Sequence, residues 1–142
     1  MFELANETFY SFDPEGGVLW DLAFEPHPTV FLAHSTGKDS LGRGPNDGNG
    51  VILLVSALWP KSSSNVIVHD KAQEFMGKVE AKAKEMGLLK PFVYTNYANW
   101  SQRPLESYGK NSVDFLRRTA RKYDPHGIFQ RRVPGGFKLP KH

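Results

Sequence analysis

The sequence predicts an α+β fold, a mostly antiparallel sheet flanked by helices. Three observations carry this. Apolar residues that alternate or run continuously between Gly and Pro mark strands. Apolar residues spaced at three and four mark helices. The helices fall between runs of strand rather than in strict alternation with them.

In chain order, Phe2, Ala5, Phe9 and Phe12 space their side chains for a short amphipathic helix that Asp13-Pro14 stops. Gly16-Gly17 turns the chain. Val18 to Glu25 alternates Val18, Trp20, Leu22 and Phe24 onto one face of a strand closed by Pro26-His27-Pro28, and Thr29 to Ala33 is a second, shorter strand. Ser35 to Gly50, rich in glycine and small polar residues, is a surface loop. Val51 to Trp59 is a continuous apolar run and so predicts a strand buried on both faces.

Lys61 to Asn65 is a polar linker, and Asn65 is placed to cap the clearest helix. In that helix Val68, Ala72, Phe75, Met76, Val79, Ala83 and Met86 recur at helical spacing before Gly87 ends it. Pro91 opens a strand from Phe92 to Thr95. A last helix from Asn111 to Tyr123 buries Val113, Leu116 and Ala120, with Tyr123 packing at its end and Asp124-Pro125 stopping it. From Val133 onward the prolines and glycines predict irregular chain.

The composition narrows the chemistry. The chain has 142 residues, a length that suits one domain, and a formal net charge of +3. It has no cysteine, which removes disulfides, thiolate metal sites, iron–sulfur clusters and thiol nucleophiles. Charge is split along the chain. Residues 1 to 50 hold eight acids against two bases, and residues 101 to 142 hold ten bases against three acids. The basic residues are not interleaved with a nucleic-acid reader motif, so no nucleic-acid partner is expected. No apolar run approaches the roughly 20 residues that span a bilayer, and Met1 to Tyr10 lacks the pattern of a signal peptide, so neither a membrane nor a compartment is indicated.

The histidines His27, His34, His69, His126 and His142 have no ligand-like spacing and read as solvated, giving no metal site. There is no Gly-x-Ser-x-Gly elbow, and Gly42 to Gly50 lacks the ending of a phosphate loop.

The segment Tyr94-Thr95-Asn96-Tyr97-Ala98-Asn99, followed by Gln102, Pro104 and Ser107-Tyr108-Gly109, stands apart. On an extended chain Tyr94 and Asn96 share one face and Tyr97 takes the other, so two ligands can be met from one strand end. The same tyrosines equally suit the rim of a core with their hydroxyls in water.

Taken together, several stretches resemble the C-terminal end of fungal FAD-linked oxidoreductases of the berberine-bridge-enzyme-like group. They are Phe92-Val-Tyr-Thr-Asn-Tyr-Ala, Gln102, Pro104, Ser107-Tyr-Gly, Lys122-Tyr-Asp-Pro, Gly127-Ile-Phe-Gln and Pro134-Gly-Gly-Phe-Lys-Leu. The Phe24-Glu-Pro-His-Pro strand end, Ser40-Leu-Gly and the Val51 to Trp59 strand agree.

The resemblance implies part of the substrate domain and the C-terminal tail of a two-domain flavoenzyme. Residues 1–98 would belong to a partial substrate-binding domain, and residues 99–142 would pack on an FAD domain. It implies Tyr97 as the catalytic base that takes a proton from a small organic substrate as hydride leaves for the flavin. Asn96 would contact the flavin, and Tyr94, Tyr108 and Asn111 would line the neighbouring wall. Tyrosine has a reference pKa of about 10, so such a base needs a lowered pKa or a proton transfer in concert with hydride departure.

The chain departs from that family at Gly37-Lys38-Asp39, where Gly-Gly-Asn is common, and it lacks the FAD-domain residues. FAD is therefore expected only with a complementing FAD-binding domain, and self-association through an apolar face is the other expected contact. The competing reading is a truncated, non-enzymatic remnant or interaction module that binds no flavin.

Overall fold

A computed structural model describes residues 1–34 and 39–140 of the chain. Among these residues the fold is α+β: five α-helices and a two-stranded antiparallel ribbon. Helix α1 spans Phe2–Phe9, strand β1 Leu19–His27, strand β2 Gly50–Leu58, α2 Asn65–Glu85, α3 Pro104–Ser107, α4 Lys110–Tyr123 and α5 Ile128–Arg131. Two compact units form, one from residues 1–24 and 53–90, the other from 25–52 and 91–142. The ribbon contributes chain to both.

In the first unit the 3-4 spacing of α2 puts Val68, Phe75 and Val79 into the core, with Phe75 completely inaccessible to water. Phe9 of α1 lies 4.8 Å from the Phe75 ring and stacks on Trp20 of β1 at 4.2 Å. Thr8 is buried but satisfied, since its hydroxyl donates to the Leu4 carbonyl at 2.7 Å and accepts from Lys78 Nζ at 3.1 Å. The solvent face of α2 carries Glu74 with Lys71 and Lys78, each 2.7 Å away, and these two ammonium groups pull the Glu74 carboxyl down to about 2.

Helix α2 ends where Gly87 takes φ +68, a left-handed conformation that favours glycine. The Leu88 N–H then reaches back to the Ala83 carbonyl at 2.8 Å. Asn65 does not cap α2. The preceding 3-10 turn, Ser62–Ser64, already leads the chain into the helix, and the Asn65 side-chain Oδ1 accepts the Trp59 indole N–H at 2.7 Å.

In the second unit, α4 buries Val113 and half-buries Leu116 and Ala120, as their spacing requires. The tail after Val133 is irregular but tethered. Arg117 Nη2 donates to the Pro140 carbonyl at 2.6 Å, and Gln130 Oε1 accepts the Leu139 N–H at 2.9 Å. Asp124 both closes α4 and caps α5, its carboxylate accepting the N–H groups of Ile128 and Phe129 at 2.7 and 2.9 Å.

Several expectations are corrected here. Thr29–Leu32 is a 3-10 turn, not a strand; Pro28 opens it, and the Phe31 N–H bonds to the Pro28 carbonyl at 3.2 Å instead of to a neighbouring strand. Phe92 to Thr95 joins no sheet, because the Val93 N–H is taken by the Ser107 hydroxyl at 3.0 Å. Strand β2 is not buried on both faces, since Val51 is 63% and Leu58 72% exposed. Its apolar run reflects branched-residue strand propensity rather than enclosure.

The glycine-rich loop is not wholly at the surface, for it buries Arg43 and Gly44 and holds a 3-10 turn at Pro45–Asp47. Tyr123 is not packed at the end of α4 but largely exposed under Lys122. Residues 35–38 of the expected loop, with Gly37 and Lys38, lie outside the described residues, as does His142.

Candidate functional site

The tyrosine segment forms a tight turn in the second unit, closed by the Tyr97 N–H on the Tyr94 carbonyl at 3.0 Å. Because a turn replaces the extended strand, Tyr94 and Tyr97 meet edge to face at 5.0 Å rather than pointing apart. Asn96 Nδ2 donates to the Tyr94 hydroxyl at 2.9 Å. The Tyr97 hydroxyl donates to Glu25 Oε1, near the end of β1, at 2.6 Å. That hydrogen bond raises the Tyr97 pKa above its ordinary value, with desolvation and the negative charge of Glu25 adding to it, because each favours the neutral phenol.

Tyr94, Phe92 and Tyr108 form an aromatic row. Phe92 stacks near Tyr94 at 6.4 Å and near Tyr108 at 5.8 Å. Tyr108 is buried, its hydroxyl paired with the Thr95 hydroxyl, and burial pushes its pKa up. The Arg43 guanidinium lies 4.8 Å from the centre of the Phe92 ring and 3.4 Å from Asp47 Oδ2. Arg43 is 6% exposed, and among the described residues its Nε and Nη2 have no hydrogen-bond acceptor, so the Asp47 contact is an ion pair without an aligned N–H.

Tyr108 and Asn111 line a cleft of about 620 Å³ with Asp39, Ser40, Lys110, Ser112 and Phe115. The structure thus groups the five sequence-predicted residues into two sets. Tyr94, Asn96 and Tyr97 share the turn, while Tyr108 and Asn111 border the cleft. Thr95 links the sets through its bond to Tyr108.

Sequence reasoning missed Glu25, Thr95, Phe92 and Arg43 as members of this site. Glu25 and Tyr97 are 72 positions apart, and no local pattern joins them. The one available signal was that Phe24-Glu-Pro-His-Pro belonged to the same family resemblance as the tyrosine turn. The histidines also differ from the solvated expectation. His27 is half-buried between Phe31 and Phe92, its Nδ1 without a hydrogen-bond partner among the described residues, and His69 packs on Trp59. Both rings gained apolar neighbours that their sequence spacing does not reveal.

The residues present suit one wall of a flavin site. Flavin offers a flat apolar face and a hydrogen-bonding edge, and the row of rings with amides at Asn96 and Asn111 matches that chemistry. Each phenol here is already engaged, yet Tyr94 retains its donor and Tyr97 its acceptor lone pairs.

Seven of the curated relatives that the chain matches are fungal FAD-dependent monooxygenases. The chain is 36% identical over 120 residues to the FAD-dependent monooxygenase drtC of Aspergillus calidoustus, covering 83% of the chain and 23% of that protein. It is 33% identical over 142 residues to the FAD-dependent monooxygenase CTB5 of Cercospora beticola, covering 99% of the chain and 27% of that protein. It is also 34% identical over 128 residues to a protein named Oligopeptidase PhomG' of Diaporthe leptostromiformis, covering 88% of the chain but 10% of that protein. The chain spans about a quarter of the length of the first two relatives. No protein-family model and no solved structure matches it.

Proposed function

We propose that the chain forms one wall of the substrate site of an FAD-linked oxidoreductase of the berberine-bridge-enzyme-like kind. Its substrate is a small organic molecule of secondary metabolism, and Tyr97 takes the substrate's proton. What supports this most is the coincidence of two facts: the chain matches FAD-dependent monooxygenases along nearly its whole length, and its Tyr94–Tyr97 turn holds a phenol against a carboxylate. In this reading residues 1–98 belong to the substrate domain, and the basic residues 99–142 pack on the FAD domain. The match to a protein named an oligopeptidase supports no second activity, since it covers a tenth of that protein and this chain has no Gly-x-Ser-x-Gly elbow.

Bound flavin would supply a hydride acceptor. The chain's own residues do the rest. Tyr97 presents its oxygen lone pairs to a substrate hydroxyl while its own proton faces Glu25. Tyr94 braces the Tyr97 ring from its edge, and Asn96 holds the Tyr94 hydroxyl in place. Asn96, Tyr94, Tyr108 and Asn111 offer the hydrogen bonds and ring faces that a flavin edge would meet. Because Tyr97 has a raised rather than a lowered pKa, its phenol is neutral, and it takes the substrate's proton only as it passes its own proton to the Glu25 carboxylate, in concert with hydride loss.

The test replaces the matching segment of the Aspergillus calidoustus relative with this chain and measures flavin reduction by stopped-flow absorbance. Tyr97→Phe removes only the hydroxyl, so flavin content should persist while the reduction rate falls by about 100-fold or more. Tyr123→Ala, at an exposed position, should leave the rate unchanged. Equal rates for Tyr97→Phe and parent would overturn the reading. The isolated chain, supplying one wall only, should elute colourless after incubation with FAD.

A further inference from the structure

Resting on that reading, we propose that the cleft at the start of α4 seats a carboxylate, so that the substrate of this site is a small organic acid. Helix α4 is 14 residues long and begins at Lys110. Its N-cap is Gly109, which has no side chain to cap with, and no acidic residue lies in its first turn. The N–H groups of a first turn have no acceptor within their own helix, and they form the positive end of its dipole. Three of the residues that line the cleft, Lys110, Asn111 and Ser112, are that first turn. An anion that enters the cleft therefore meets the N–H end of the helix.

Ser112 is the independent observation. It is only 7% exposed, it lines the cleft, and its hydroxyl has no hydrogen-bond partner among the described residues. Buried hydroxyls are nearly always paired, so this one is left for a group that occupies the cleft. Gly42 keeps it uncovered. A Cβ on that glycine would stand 3.2 Å from Ser112 Oγ, so a side chain there would crowd the hydroxyl that the bare backbone leaves open.

The other lining groups select the ligand. The half-exposed ring of Phe115 gives the cleft an apolar wall, which suits a carbon skeleton, and a volume of about 620 Å³ suits a small molecule. Its charged groups are Lys110 and Asp39. Lys110 bonds to Asp114 at 2.6 Å, and Asp39 Oδ1 accepts the N–H groups of Leu41 and Arg43 at 2.9 and 2.8 Å. With one charge of each sign already engaged, the helix end tips the balance, and it is equivalent to about half a positive charge. That suits the single charge of a carboxylate better than a phosphate group, which brings about −1.5 to −2 beside Asp39. Tyr108 also lines the cleft, and its hydroxyl pairs with the Thr95 hydroxyl of the tyrosine turn. The seat is thus one side-chain contact away from the segment that carries Tyr97.

The test titrates the nitrogen-labelled full chain with benzoate and follows its amide signals by NMR. Benzoate should shift Lys110, Asn111 and Ser112. Benzyl alcohol, the same ring without the charge, should not, and inorganic phosphate and ADP should bind more weakly than benzoate. Ser112→Ala should weaken benzoate about tenfold, the effect of one hydrogen bond to a charged group. Ser112→Asp puts a carboxylate of the chain's own in the seat, so it should abolish benzoate binding and raise the melting temperature by satisfying the first turn. In the chimera with the Aspergillus calidoustus relative, benzoate should raise the substrate concentration needed for half-maximal flavin reduction and leave the maximal rate unchanged, and Ser112→Ala should relieve that competition.

Benzoate that shifts none of these amides, or that binds the Ser112→Ala and Ser112→Asp chains as tightly as the parent, overturns the seat. Tighter binding of phosphate or ADP than of benzoate overturns the carboxylate and assigns the seat to a phosphate group. Benzoate that binds the chain without competing in the chimera overturns the substrate class. Equal flavin reduction by Tyr97→Phe and parent chimeras would remove the tyrosine's proton-taking role, whereas benzoate binding to the isolated chain would still support the seat.

Discussion

Phe75 and Tyr108 are both almost inaccessible to water, yet their surroundings differ in kind. Phe75 sits among Val68, Val79 and Phe9, with charges kept to the outer face of α2 in pairs three and four residues apart. Tyr108 sits beside Thr95, Phe92 and Ser112, close to a buried guanidinium, in a unit whose chain is mostly turns and short helices. The first arrangement obtains its stability from apolar burial and needs no special partner. The second buries polar groups that must each find a partner, which costs stability unless the geometry is kept. The comparison teaches that in this chain the element easiest to fold is not the element that holds the tyrosine turn.

The sharpest way to break the comparison is Phe75→Ala. Emptying a site with no solvent access should cost about 3–5 kcal/mol, read from the urea midpoint. A loss under about 1 kcal/mol would mean that α2 is not the anchor of its unit. The next largest effect is expected at Gly42. Its φ is +75, and an added Cβ would lie 2.1 Å from the Tyr108 carbonyl oxygen, so Gly42→Ala must push the two segments apart. We expect a cost of about 1–3 kcal/mol and a changed NMR environment for Tyr108 and Thr95, with Phe75 undisturbed. A Tyr108 signal identical to the parent's would show that the close approach has slack.

The smallest effect is electrostatic. Glu74 has a lowered pKa because Lys71 first, then Lys78, hydrogen-bond to its carboxylate. A lowered carboxyl favours the fold above its unfolded value and loses that contribution as the pH falls from 4.5 to about 2. Since the group is exposed, solvent screens most of it. In Glu74→Gln the melting temperature should fall less steeply across that acid range than in the parent. Parallel acid limbs would show that the pair adds nothing.

How much of this was legible in the sequence follows from how local each feature is. Helix α2 was readable nearly to the residue, because its spacing runs unbroken for several turns and Gly87 stops it. Helices α1 and α4 and strands β1 and β2 were readable for the same reason. The 3-10 turn at Thr29–Leu32 was not, because Val30-Phe31-Leu32 has strand-forming residues but no partner strand, and pairing is not written in the segment itself. Phe92 to Thr95 failed likewise, its ladder replaced by a serine hydroxyl.

Helices α3 and α5, four residues each, are too short to show a period. At the site, the grouping of Tyr94, Asn96 and Tyr97 followed from adjacency, although the turn reversed the expected opposition of Tyr94 and Tyr97. Glu25 and Arg43 could not be placed, since only the folded chain brings β1 and the glycine-rich loop to the aromatic row.

The guanidinium under Phe92 has one further implication. The guanidinium of Arg43 places a buried positive charge inside the second unit, against the Phe92 ring. Through Phe92 that charge borders the whole row of Phe92, Tyr94 and Tyr108. The Asp47 carboxylate, 3.4 Å from Nε, offsets part of that charge, so the row meets the field of an oriented ion pair rather than that of a lone cation.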